Sequence, residues 1–214
     1  MKIISITLTA SIFLVLNSCR NRAFIENHLP YYNSADFSPK WLDEGEAKDI
    51  HSIPDFNFTN QEGRTITRKD FDDKVTVVDF FFTSCPGICK KLTSGLMQVQ
   101  EAFKTDDNVR LLSHSVTPDR DSVPVLKAYA LEHGAINGKW HFVTGERLAI
   151  YNIARTAYFA DEDMGWKQDS STFLHTENVI LVDKHHHIRG VYKGTIPLQI
   201  KDLISDIEEL EEEE

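Results

Sequence analysis

Residues 75–82 read VTVVDFFF, an almost unbroken run of β-branched and aromatic side chains. A run this short and this uniformly apolar predicts a strand buried on both faces. A doubly covered strand needs neighbours above and below it, so the rest of the chain has to supply layers. The flanking segments do so. Residues 56–58 and 64–67, separated by Asn60-Gln61-Glu62-Gly63, predict a hairpin near the N-terminal side. In residues 90–103, Leu92, Leu96, Val99 and Phe103 share one helical face. Further strands are expected over 109–116 and 140–143, and further helices over 122–132 and 146–157. A second hairpin, 178–183 with 189–192, and a last helix over 198–210 complete the pattern. Strands alternating with helices predict an α/β fold with a central mixed sheet flanked by helices.

The ends read differently. Met1-Lys2 is followed by an apolar run to Leu16 that has signal-peptide length and is too short to span a bilayer. It closes on Leu16-Asn17-Ser18-Cys19, which resembles a bacterial lipobox. On that reading residues 1–18 are a lipoprotein signal peptide and Cys19 is lipidated, anchoring the chain without a spanning helix. The alternative is an ordinary signal peptide with an incidental Cys19. Residues 19–50 lack a clear period and predict a tether, roughly 30 Å in root-mean-square span if flexible. Tyr31, Tyr32, Phe37 and Trp41 are more aromatic than a tether needs, so part of it is expected to pack on the domain at 51–207. The acidic tail at 208–214 is expected to fray into solvent. The formal net charge of -10 disfavours nucleic-acid binding, which needs a basic face.

Lipidation of Cys19 leaves two of the three cysteines, Cys85 and Cys89, in an exported and oxidising setting. The loop between them is too short for a useful structural staple. They follow the central strand and open the next helix, with Pro86 and Gly87 at the turn. Free N–H groups and partial positive charge at a helix N-terminus favour thiolate over thiol. Three intervening residues place the sulfurs about one helical turn apart, able either to close a disulfide or to grip one soft ion. Two thiolates and an imidazole suit Cu(I). The bland alternative is two cysteines buried as small hydrophobes.

The chain has nine histidines. His175 precedes the apolar strand at 178–182, where a loop can reach the sheet edge, and is a candidate third ligand, the other reading being a structural or exposed histidine. His185-His186-His187 at a hairpin tip predicts a solvated turn, with adventitious metal binding as the other reading. His114 falls inside a strand pattern and is expected to be packed.

Several ordered motifs resemble the Sco/SenC family: Phe82-Thr83-Ser84-Cys85-Pro86-Gly87-Ile88-Cys89, then Ser115-Val116-Thr117-Pro118-Asp119-Arg120-Asp121, then Trp140-His141-Phe142-Val143-Thr144-Gly145, then Phe173-Leu174-His175-Thr176. The resemblance implies a thioredoxin-like fold and a copper site of Cys85, Cys89 and His175, holding Cu(I) and in a second state Cu(II). It also implies delivery of copper to the dinuclear centre of cytochrome c oxidase subunit II, or to another cuproprotein, or reduction of the target's cysteines beforehand. The implied setting is the bacterial cell envelope, with a monomeric domain facing the periplasm. Gly87 stands where the family usually has an acidic residue and Lys90 where it has proline; both changes favour thiolate.

Two functions compete. A copper-binding chaperone would use Cys85, Cys89 and His175, with Asp79 either tuning the site from the strand beneath or serving as a buried structural acid. A thiol-disulfide oxidoreductase would attack through Cys85 and resolve through Cys89. A peroxidase, with Arg155 steadying the peroxide, is a third and weaker reading.

Overall fold

The computed structural model describes residues 28–42, 46, 50–160 and 176–213. Among the described residues, nine strands form one mixed sheet: β1 (Tyr31–Tyr32), β2 (Pro39–Lys40), β3 (Asn57–Asn60), β4 (Thr65–Thr67), β5 (Val75–Phe81), β6 (Val109–Ser115), β7 (Trp140–Thr144), β8 (Asn178–Val182) and β9 (Ile188–Lys193). Their order is β2-β1-β9-β8-β5-β6-β7-β3-β4. Strands β5, β6 and β7 are parallel, while β8 pairs antiparallel to β5 and β9 to β8. The helices are α1 (Ile88–Ala102), α2 (Val123–Glu132), α3 (Arg147–Thr156) and α4 (Pro197–Glu212). The α/β expectation and both hairpins are borne out.

All seven residues of β5 are buried. The period of two divides the strand between two cores. Val75, Val77 and Phe81 face a cluster that includes Leu92, Leu96 and Val99 of α1, Leu126 of α2 and Leu203 and Ile207 of α4. Val78 and Phe80 face a second cluster with Ile150 and Ile153 of α3 and with Phe58 and Ile66 of the β3–β4 hairpin. Asp79 falls on the first face, on the same side as the cysteines.

The β3–β4 turn is held by Asn60, whose Oδ1 accepts from the N–H groups of Glu62 and Arg64. Gly63 takes φ +73° there, a region that favours glycine. Gln61 reaches across to β7, donating to the Trp140 carbonyl and accepting from Phe142 N–H.

Part of the 19–50 segment packs on the domain as its aromatic residues predict: β1 and β2 join the sheet, with Tyr32 opposite Ile188. Two expectations are corrected. The acidic tail does not fray: α4 runs to Glu212, and the Glu213 carboxylate binds Arg189 at 2.7 Å and Leu29 N–H at 2.8 Å. The histidine tip is not a solvated turn. His186 is buried with its Nε2 2.9 Å from Asp72, and His187 lies 3.4 Å from the buried Asp183. Asp183 also accepts from the N–H groups of His185 and His187, so the carboxylate folds the tip inward.

Candidate metal centre

The chain leaves β5 at Phe81, turns through Ser84 and Pro86, and enters α1 at Ile88. Cys85 closes the turn, its N–H donating to the Phe82 carbonyl at 3.3 Å. Gly87 caps the helix with no side-chain hydrogen bond, so the first amides of α1 are free to point at a neighbouring anion. One of them, Cys89 N–H, donates to Cys85 Sγ at 3.4 Å. Both thiols are free and nearly buried, at 7% and 4% exposure. The cysteine pair thus lies side by side where the strand-to-helix reading placed it.

The two thiols differ in acidity. Burial opposes ionisation of Cys85, but hydrogen bonds from the Cys89 side chain and from the amides of Gly87, Cys89 and Ile88 outweigh it and hold the thiol below its usual value. Cys89 has the reverse balance. Burial first, then its bond to Cys85, push it up to about 12, with the nearby Cys85 and Asp79 charges adding to the rise.

Beneath the pair, Asp79 is 3% exposed and its carboxyl is pushed up to about 7 by burial, against a hydrogen bond from Ser113. Trp140 Nε1 donates in turn to Ser113 Oγ at 2.8 Å. On the helix side the hydroxyls of Thr93 and Tyr129 pair at 2.8 Å. Burial pushes the Tyr129 phenol up to about 12.

A second carboxylate, Asp121, ends the Ser115–Asp121 motif and is not among the site residues that the sequence predicts. Asp121 is fully buried and accepts four hydrogen bonds. Thr83 N–H and Oγ1 donate at 3.2 and 2.6 Å, Ser115 Oγ at 2.5 Å and Thr117 Oγ1 at 3.0 Å. The only available signal was the run of hydroxyl residues around it.

His175 and Cys19 lie outside the described residues. His114 is fully buried among Phe58, Phe80 and Tyr158, packed as expected. Arg155 is a half-buried residue of α3, 5.6 Å over the Tyr151 ring, on a helix whose buried residues pack in the core on the other sheet face from Cys85. The peroxidase reading therefore loses its arginine. Among the described residues, no three His, Cys, Asp or Glu side chains converge as a complete metal site, and no helix is long and apolar enough to cross a membrane.

The donor set on the page is two buried soft sulfurs, one of them acidified, a chemistry that suits a soft cation. Comparison with known proteins places the fold and the family. A SCO1/SenC lipoprotein from Bacillus anthracis superposes with TM-score 0.66 at 28% identity, over 75% of this chain and 95% of its own. BsSco, a member of the Sco family of cytochrome c oxidase assembly proteins in which a disulfide switch has been identified, gives 0.63 at 26%, over 75% and 93%. The fold is also that of ScoI from Bradyrhizobium japonicum with copper bound, at TM-score 0.59 and 22% identity, over 75% and 99%. The mixed sheet with its flanking helices is the thioredoxin-like fold these proteins share. With the SCO1/SenC sequence model matching residues 44–212, the chain belongs to the SCO1/SenC family.

Proposed function

We propose that this chain is a membrane-anchored copper-binding protein of cytochrome c oxidase assembly. It delivers copper to the dinuclear site of subunit II or prepares that site's cysteines. The observation that carries the reading is the Cys85/Cys89 pair, two buried thiols in contact at a helix start, one held below and one above its usual acidity. Cys85 and Cys89 supply the soft donors, His175 the third ligand, and lipidated Cys19 the anchor on the periplasmic side of the cell envelope. Copper bound to a relative of this fold supports the cargo, and the lipoprotein relative supports the anchor.

The test uses the full chain in detergent, reduced and titrated with Cu(I) against a colorimetric chelator. One equivalent should bind tightly, His175→Ala should weaken it, and Cys85→Ser or Cys89→Ser should abolish it. Intact binding in His175→Ala, together with turnover of a disulfide substrate that survives the substitution, would sink the copper reading.

The same thiol asymmetry supports a second reading, a dedicated thiol-disulfide oxidoreductase. The acidified Cys85 suits the attacking sulfur and the protonated Cys89 the resolving one. A disulfide switch in BsSco is in keeping with it.

A further inference from the structure

We propose that Asp121 is a positioning residue for the cysteine pair: through Thr83 it pins the turn that carries Cys85 and so presets the approach of Cys85 to Cys89. This rests on the reading of Cys85 and Cys89 as the working pair.

The geometry singles out this carboxylate. Asp121 lies in the segment between β6 and α2, 38 residues from Thr83 in sequence, yet Thr83 makes two of its four bonds. The other two come from Ser115, the last residue of β6, and from Thr117 just beyond it. All four partners donate, so the site requires an acceptor with several lone pairs, which a carboxylate offers. Each bond runs to a charged acceptor and is stronger than its neutral equivalent. Thr83 stands one residue beyond Phe82, whose carbonyl takes the N–H of Cys85. The chain of bonds therefore runs from the end of β6, through Asp121, to the turn whose other end places Cys85 Sγ against Cys89 N–H. Backbone bonds reinforce the same junction, since Val116 N–H donates to the Phe81 carbonyl at 2.9 Å. Gly87, on the far side of Cys85, has no side chain, and among the described residues a Cβ added there would meet nothing within 4 Å. The side-chain restraint comes from the Thr83 side.

A turn held in place lowers the entropy cost of bringing the two sulfurs onto one ion or onto each other. Loss of the restraint should weaken disulfide closure and Cu(I) binding together. A change that acted only on thiolate stability would move the two in opposite directions, since it would favour the disulfide while disfavouring the metal.

The experiment compares three variants of the full chain. Thr83→Val removes the hydroxyl bond to the turn. Asp121→Asn keeps an oxygen for three donors, and the Thr83 hydroxyl can reverse to accept from the new amide. Ser115→Ala removes a bond to the same carboxylate on the side away from the turn. Each is equilibrated with glutathione to read the Cys85–Cys89 dithiol-disulfide constant, titrated with Cu(I), and melted. Thr83→Val should lower both the disulfide constant and the Cu(I) affinity, by about tenfold. Asp121→Asn should lower them less, and Ser115→Ala should lower only the melting temperature. A Thr83→Val constant within twofold of wild type overturns the proposal, as does an equal shift in Ser115→Ala. A wild-type pair that never closes also overturns it, because nothing is then preset. A wild-type pair that closes but takes no Cu(I) sinks the copper reading instead; the shift in the Thr83→Val disulfide constant then decides this one alone.

Discussion

The backbone N–H of Cys89 donates to the sulfur of Cys85 across 3.4 Å. This contact lies inside one turn of chain, yet it makes two chemically identical side chains unequal. Cys85 receives amide hydrogen bonds that stabilise its anion, whereas Cys89 is deeper and faces the anion that Cys85 becomes.

Single-cysteine variants should expose the inequality. In Cys89→Ser, Cys85 should react with iodoacetamide readily near neutral pH. In Cys85→Ser, Cys89 should remain about tenfold slower or more, because burial is the largest cause of its raised value and survives the substitution. Alkylation rates read by mass spectrometry at pH 7 check this, and equal rates would contradict it.

Two buried groups should shape the pH dependence of stability in opposite senses. Burial holds His114 down at about 3, below its unfolded 6.5. The unfolded chain binds the extra proton in that window, so this group's contribution is present above 6.5 and is lost as pH falls toward 3. Asp79 is raised from 3.8 to about 7. The folded chain binds the extra proton there, so its contribution is present below 3.8 and is lost as pH rises through 7. Each slope approaches roughly 1.4 kcal/mol per pH unit, and between about pH 4 and 6.5 they oppose one another. His114→Phe should therefore lose stability as pH rises through this window, and Asp79→Asn should gain it. Urea melts at four pH values decide; variant slopes matching wild type would refute the assignment.

Gly95→Ala should loosen the α1–α4 contact. A Cβ there would sit 2.6 Å from the Gly194 carbonyl oxygen and 2.9 Å from the Ile200 side chain. The carbonyl is backbone and does not yield cheaply, so overpacking should cost about 1–3 kcal/mol. Chemical denaturation measures the loss, and a neutral result would mean that α4 shifts freely.

Arg189→Leu should undo the N-terminal strap. Its guanidinium binds Glu213 at 2.7 Å and the Leu29 carbonyl at 2.6 Å, lies 3.4 Å from Asp183, and stacks 4.1 Å over Tyr31. Removing one member of this buried ionic group should cost about 3–5 kcal/mol. Limited proteolysis should then cut near Leu29 and Tyr31 before the core opens, and unchanged protection there would argue against the strap.

Much of the fold was legible because the signals are local. The doubly buried β5 shows in its apolar run, and α1 shows in Leu92, Leu96, Val99 and Phe103, with its start within two residues of the expected one. The histidine tip misled for a physical reason. Three polar residues at a turn predict solvent, yet Asp183 gathers their backbone amides and pulls His186 and His187 inward. The glutamate tail misled likewise, because a distant cation, Arg189, gives Glu213 a buried partner. His175, legible from its place before the strand at 178–182 and from the family resemblance, lies outside the described residues.

The sequence by itself determined where the chemistry sits, at the end of the central strand and the start of the next helix. Strand, turn and helix are properties of neighbouring residues, so Cys85 and Cys89 were bound to meet one helical turn apart. The tertiary structure decided what that chemistry can be. The acidity of Cys85 against Cys89, the raised Asp79 and the grip of Asp121 on Thr83 depend on burial and on hydrogen bonds between distant segments. No local pattern encodes those terms, because they exist only once the sheet has brought β5 and β6 side by side.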